Sequence, residues 1–153
     1  MLVNQLLSMK GAAGKPGVEG ATIATVKPTD TVAEAVKILS DLRIGAVVVS
    51  TDGKKPEGIL SERDIVRQLG KNGAAVLDSP ISDLMTREVQ TCGRSEDALA
   101  ILDRMTKGRF RHLPVIDEDG NMLGVVSIGD AVSGRLQELA AEKEALTGMI
   151  MGN

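Results

Sequence analysis

The chain carries one pattern twice, "GILSERDIV" at 58–66 and "GVVSIGDAV" at 124–132, 66 residues apart. The same offset holds without a gap elsewhere: Thr25 falls on Thr91, Arg43 on Arg109, Val47 on Leu113, Val49 on Val115, Ser61 on Ser127 and Asp64 on Asp130. A fixed internal period outranks local readings, because each copy must form the same supersecondary unit and such a unit buries its apolar faces only against its neighbour. Two repeats are therefore expected, 22–70 and 88–136, with an N-terminal segment 1–21, a connector 71–87 and an extension 137–153.

Each repeat opens with a short extended piece, "TIATV" at 22–26 or "EVQTC" at 88–92, and passes a polar turn into a helical pattern. Thr31 with Glu34 is a capping-box signature, and the matching Asp97 is another good N-cap residue. Val32, Ala35, Val36, Leu39 and Leu42 recur at helical spacing, as do Ala98, Ile101, Leu102 and Met105, so these stripes face a core. The β-branched runs "AVVVS" and "HLPVI" follow, each leading through a polar turn to another apolar triplet, which reads as a hairpin. The motif then opens a second helix, closing at Gly70 in the first repeat. Strand, helix, strand, strand, helix is an α+β unit whose three-stranded sheet is too small to stand alone.

Around the repeats, 2–9 reads as a brief leading helix and "GAAGKPGVEG" at 11–20, with its four glycines, as a loop. Within the connector, "AAVLDSPISDLM" suits a short helical turn. Past the second motif the helix runs on, with Val132, Leu136, Leu139, Leu146 and Ile150 forming a stripe that packs either on its own chain or on a partner helix.

Composition narrows the function. Phe110 is the only Phe, Tyr or Trp, so Val, Ile, Leu, Ala and Met must fill the core. The net charge is −3 and no predicted helix has a continuous Lys/Arg face, which argues against a nucleic-acid partner. Cys92 is the sole cysteine, ruling out an intrachain disulfide and fitting a reducing compartment. With no apolar run near 18 residues and no signal-peptide pattern, neither membrane association nor export is expected, and a cytoplasmic protein is. One histidine, one cysteine and no metal-ligand cluster give no nucleophile with an assigned base, so an enzyme is not expected.

The doubled order of "AVVVS" or "HLPVI" strand, acidic turn and G-h-h-S-x-x-D at a helix start resembles the CBS domain, named for cystathionine beta-synthase. Two tandem copies are similar to the pair called a Bateman module. The resemblance implies two pseudo-symmetric units packed through their sheets, clefts between them for adenosyl ligands, and a disc-like homodimer. Among those ligands AMP or ATP come first, NAD(H) next and S-adenosylmethionine last. A regulatory role follows, with signalling to a partner that the sequence does not name. The chain departs from the family pattern at Val48, where the second copy has the typical Pro114, and in using Ser in both motifs where Thr is also common.

A nucleotide presents a base, a cis-diol and phosphate. A carboxylate can accept both ribose hydroxyls, a role that suits Asp64 and Asp130. A serine at a helix start stands beside unpaired N–H groups at the positive dipole end, which suits Ser61 and Ser127 to phosphate. The opening glycine permits close backbone approach. The resemblance places the base between the first strand's end (Thr25 and Val26, or Thr91 and Cys92) and the second strand's start (Ile44 to Ala46, or Phe110 to His112). The second slot adds Lys107, Arg109, Arg111 and His112, and a contact from Arg111 or Arg109 to phosphate would suit either two unlike nucleotides or one dinucleotide.

Each residue also has a plainer reading. S-x-x-D is nearly a capping box, which stabilises a helix by about 1 kcal/mol with no ligand. The basic turn can be simply solvated, His112 can cap a strand edge, and Cys92 can be a small apolar residue near the slot. Arg63, matched by Gly129, reaches either phosphate or solvent. Two functions compete: an adenine-nucleotide sensor, and a ligand-free assembly module acting through protein contacts.

Overall fold

The computed structural model describes residues 1–12 and 23–150, so the expected glycine-rich loop lies, past Ala12, outside the described residues. Its elements in chain order are α1 (Val3–Ala12), β1 (Thr25–Val26), α2 (Val32–Leu42), β2 (Ala46–Val49), β3 (Gly58–Ser61), α3 (Glu62–Asn72), two 3-10 turns (Ala74–Asp78 and Ile81–Asp83), β4 (Cys92–Gly93), α4 (Ala98–Gly108), β5 (His112–Ile116), β6 (Met122–Ser127) and α5 (Ile128–Ile150). They form two three-stranded sheets, β1-β2-β3 and β4-β5-β6.

The sequence period is the ladder period. Val26 pairs with Val49 and Cys92 with Val115 in parallel, while Ala46 faces Ser61 and His112 faces Ser127 in the antiparallel hairpins. Both helices after the first strands begin on the expected caps. Thr31 and Glu34 form the reciprocal capping box, and the Asp97 side chain accepts from the Leu99 N–H. Both also end on an arginine in the left-handed region, Arg43 at φ 53° and Arg109 at φ 56°. Two boundaries differ from expectation. The first strand of the second repeat is Cys92–Gly93 rather than 88–92, because only there does the chain reach Val115 and Ile116 of β5. The α3 helix passes through Gly70 and closes at Gly73, where φ is 75°.

Each repeat is completed by the segment that precedes the other one in sequence. The connector covers repeat one: Val32 N–H donates to Ser79 O (2.9 Å), Ile81 N–H to Asp30 O (2.8 Å) and Ser82 N–H to Pro28 O (2.9 Å). The N-terminal segment covers repeat two with the same three bonds, Ala98 N–H to Met1 O (2.8 Å), Val3 N–H to Glu96 O (2.9 Å) and Asn4 N–H to Arg94 O (3.0 Å). The body of the repeats is related by 66 residues and these covering segments by 78, as Val3 and Ile81 show.

The cores follow that exchange. Val26, Val32, Ala35, Leu39, Val47, Val49, Leu60 and Ile65 cluster with Val76 and Ile81 of the connector. Cys92, Ala98, Ile101, Met105, Leu113, Val115, Val126 and Ala131 cluster with Val3 and Leu6 of α1. The second core thus joins its repeat to a stretch of chain that lies beyond the whole of repeat one in sequence. The hairpin turns also meet, with Met122 N–H donating to Lys54 O (2.7 Å) and Lys55 Nζ to Asp119 O (2.9 Å).

Candidate functional site: a cleft across the two repeats

The starts of β2 and β5 lie against each other, so closely that a Cβ on Gly45 would be 3.2 Å from both Cε1 and Nε2 of His112. Beside this contact opens a cleft of about 740 Å³. One wall is repeat one, with Gly45, Ile59, Ser61, Glu62, Arg63, Asp64 and Arg67. The opposite wall is the end of α4 and the start of β5, with Asp103, Arg104, Lys107, Gly108, Arg109, Phe110, Arg111 and His112; Thr86, Glu88 and Gln90 bridge them.

The sequence leaves open which motif shares a cleft with which strand start. Ser61 and Asp64 of the first copy share a cleft with Phe110, Arg111 and His112 of the second. The reason is the docking: the close contact of Gly45 with His112 brings the start of one repeat's second strand against that of the other. Gly108 leaves room for the Phe110 ring, whose Cδ1 would be 2.6 Å from a Cβ there, and this single aromatic both packs on the second core and lines the cleft.

The other expected residues lie elsewhere. Val26 and Cys92 are 3% and 2% exposed, and their side chains belong to the two cores rather than to a base slot. Ala46 is buried, Ile44 packs on the first core, and Thr25 is half-buried in β1; none of the three lines the cleft. Thr91 contributes its carbonyl, which accepts from Arg104 Nη2 (2.8 Å). Ser127 and Asp130 do not line this cleft. Burial pushes the Cys92 thiol up to about 12, with Glu96 adding to the rise and Arg104 opposing it, so the thiol is an inert apolar group.

Both motifs are reciprocal helix caps. Asp64 Oδ2 accepts from Ser61 N–H and Ser61 Oγ–H, each at 3.0 Å, while Asp64 N–H donates to Ser61 Oγ (3.3 Å). Ser127 N–H donates to Asp130 Oδ2 (2.8 Å) and Asp130 N–H to Ser127 Oγ (3.1 Å). The next amides are engaged too, Glu62 N–H by Gly45 O (2.9 Å) and Ile128 N–H by Arg111 O (2.8 Å). The expected row of unpaired amides for a phosphate is therefore largely spoken for by the protein, and the opening glycines admit a covering side chain rather than a ligand: Met85 at Gly58 and Leu7 at Gly124.

Positive charge in the cleft comes from side chains instead. Arg63, Arg67, Arg104, Lys107, Arg109 and Arg111 line it, against the carboxylates Glu62, Asp64, Glu88 and Asp103. Arg104 is held by Glu96 (3.0 Å) and Lys107 by Asp103 (2.9 Å). Among the described residues no ion pair engages Arg63, Arg67, Arg109 or Arg111. Arg67 was missed in the sequence, although its i+4 spacing from Arg63 on α3 was there to read. Glu88 and Gln90 carry no sequence signal, since only the docking brings the lead-in to β4 into the site.

Residues 21–71 and 81–136 both match the CBS domain family. The chain belongs to that family. A mitochondrial CBS domain-containing protein of Arabidopsis thaliana, CBSX3, is 36% identical over 127 residues, covering 80% of this chain and 61% of the relative. An Acidianus ambivalens protein is 36% identical over 108 residues, covering 71% of this chain and 64% of that one, so this CBS pair matches less than two thirds of either curated relative. A CBS-domain-containing protein of Agrobacterium tumefaciens is similar in structure, with TM-score 0.75, 38% identity and coverage of 88% of this chain and 92% of that one. Two similar CBS structures carry adenosyl compounds: CBSX2 with AMP (26% identity, TM-score 0.64, 76% and 89% coverage), and the CBS pair of MJ0100 with 5′-methylthioadenosine and S-adenosyl-L-methionine (25%, 0.70, 94% and 98%). No helix among the described residues of this CBS pair is long and apolar enough to cross a membrane, and no group of three described His, Cys, Asp or Glu side chains could hold a metal ion.

Proposed function

We propose that this CBS pair is a non-catalytic regulatory protein that binds an adenine nucleotide, AMP or ATP, with NAD(H) as a dinucleotide counterpart, in the cleft between α3 and the 103–112 segment. The observation that carries this reading is that the cleft is built from both repeats, so a ligand there contacts both and can shift their mutual arrangement. Such a shift is limited to the ligand's differential affinity for the two arrangements. Phe110 and Ile59 offer apolar surface to the base, Asp64 a carboxylate to the ribose, and the four arginines charge-assisted contacts to phosphate. The adenosyl ligands of the two similar CBS structures support the class.

The test is calorimetric titration of nucleotide-stripped protein with AMP, ATP, NAD, NADH and S-adenosylmethionine, on the parent chain and on Asp64→Ala and Asp130→Ala. Saturable binding lost in Asp64→Ala and kept in Asp130→Ala supports the cleft. If every ligand stays silent at millimolar concentration, the assembly reading takes over. That second reading has its own observation, the exposed apolar stripe of α5, on which we also place a homodimer.

A further inference from the structure

His112 is the chain's only histidine, and it stands where the two repeats meet. It is half-buried at the start of β5 and lines the cleft. Its ring lies against Gly45 of repeat one, where a Cβ would be 3.2 Å from Cε1 and Nε2 and 3.7 Å from Glu62 Oε1. Imidazole and carboxylate thus come from opposite repeats to meet over one glycine, within reach of a Coulomb interaction. On its own sheet the ladder partner of His112 is Ser127, whose N–H holds Asp130 Oδ2 at 2.8 Å. One titratable ring therefore lies between the two acidic motifs.

The pseudo-symmetry shows that the fold does not require it. The 66-residue relation puts His112 on Ala46, which faces Ser61 as His112 faces Ser127. Imidazole is the side chain whose ordinary charge change falls between about pH 5 and pH 8, so only one of the two equivalent strand starts can respond in that range.

The charges around the ring set the sign of the response. Glu62 and Asp64 of α3, Glu88 of the lead-in to β4, Asp103 of α4 and Asp130 of α5 favour a protonated imidazole. Arg63 and Arg67 of α3, Arg104 and Lys107 of α4, and Arg109 and Arg111 ahead of β5 oppose it. A phosphate held in the cleft adds negative charge and offsets those cations, so the ring takes a proton more readily with ligand than without. Linkage makes the effect reciprocal, a protonated ring strengthening anion binding by the same factor.

From this placement we infer that His112 couples the cleft to pH: binding of a phosphate-bearing ligand draws a proton from solvent onto the imidazole, and affinity rises as pH falls from about 8 to about 5.5. The inference rests on the proposed nucleotide site but can fail separately from it.

A lone histidine makes the test direct, because the tag-free chain gives one imidazole Cε1–H signal in an NMR titration. The pH midpoint of that signal should move up on saturation with AMP. It should also move up with sodium sulfate, whose charge is fixed over this range, relative to sodium chloride at equal ionic strength. In calorimetry the gain in AMP affinity from pH 8 to pH 5.5 should be at least about threefold larger for the parent than for His112→Gln. That ratio cancels the proton that the AMP phosphate itself takes up, circular dichroism checks the fold of the variant, and the imidazole signal of the parent needs no variant. AMP binding with the midpoint unmoved or moved down, or with equal pH slopes in parent and variant, overturns the inference and leaves the nucleotide site standing. A midpoint raised by sulfate with no AMP binding at any pH keeps the proton coupling and overturns the adenine reading. A midpoint that sulfate leaves in place, with no AMP binding, overturns both.

Discussion

Met85 lies over Gly58, where a Cβ would come 2.7 Å from the methionine sulfur and 3.0 Å from the Thr86 carbonyl oxygen. Leu7 lies over Gly124 in the same way, its Cδ2 at 2.7 Å, although the two covering residues come from opposite ends of the exchange between segments. The two crowded sites differ in what can yield. At Gly124 the obstacle is a leucine methyl, whereas at Gly58 a backbone carbonyl is fixed by the Ile59–Thr86 bridge. Gly58→Ala is therefore expected to destabilise by about 1–3 kcal/mol, and Gly124→Ala by less. Chemical denaturation of the two variants checks the order; equal losses would mean that the connector moves as freely as the Leu7 side chain.

That exchange marks where the sequence stopped being readable. The 66-residue period, the ladders and the Thr31 cap were legible because they are local or repeat at one offset. The covering segments repeat at 78, with Val3, Leu6 and Leu7 answering Ile81, Leu84 and Met85, a three-point match too short to notice without knowing the fold. Within the candidate site, Ser61, Asp64 and the 110–112 stretch were legible as types. Their union in one cleft was not, because it depends on how two sheets dock rather than on any spacing in either repeat.

Arg43 and Arg109 each hold a left-handed backbone at a helix end, which disfavours a side chain by roughly 1–2 kcal/mol relative to glycine. Only Arg109 lines the cleft. Arg43→Gly and Arg109→Gly should both raise the thermal midpoint slightly, while only Arg109→Gly weakens nucleotide binding. Unchanged nucleotide affinity in Arg109→Gly would remove this arginine from the site.

The Ser61 and Ser127 hydroxyls are equivalent as caps, so Ser61→Ala and Ser127→Ala are each expected to cost about 1 kcal/mol of stability. Loss of nucleotide affinity should accompany the first alone. Urea unfolding with a parallel titration separates the effects, and a nucleotide defect in Ser127→Ala would relocate the site.

Cys92 should be silent to a thiol reagent at pH 8 in the folded protein and react fully once unfolded, since its thiol is buried and pushed from 9.0 up to about 12. As pH rises past 9.0 the unfolded chain releases this proton first, so its stabilising effect is complete below that pH and declines toward 12. A Cys92→Ala variant should lack this alkaline decline. Stoichiometric labelling of the native protein would show that the second core opens readily.

The last prediction concerns α5, whose 23 residues span about 34 Å and outrun the repeat they begin in. Ala131 and Gly134 are its buried residues, whereas Leu136, Leu146 and Ile150 are 61%, 59% and 82% exposed. Val132, Leu139 and Leu146 recur every seven residues, and so do Leu136, Lys143 and Ile150, the heptad spacing that the seam of a two-helix coiled coil requires, with one polar position in it. A second copy of α5 matches that seam. Light scattering should give a two-chain mass for the parent protein and a one-chain mass for Leu139→Glu/Leu146→Glu, with nucleotide binding unchanged because neither residue lines the cleft. A parent that is already monomeric would leave the seam to a different protein, and a variant that stays dimeric would place the interface on another face.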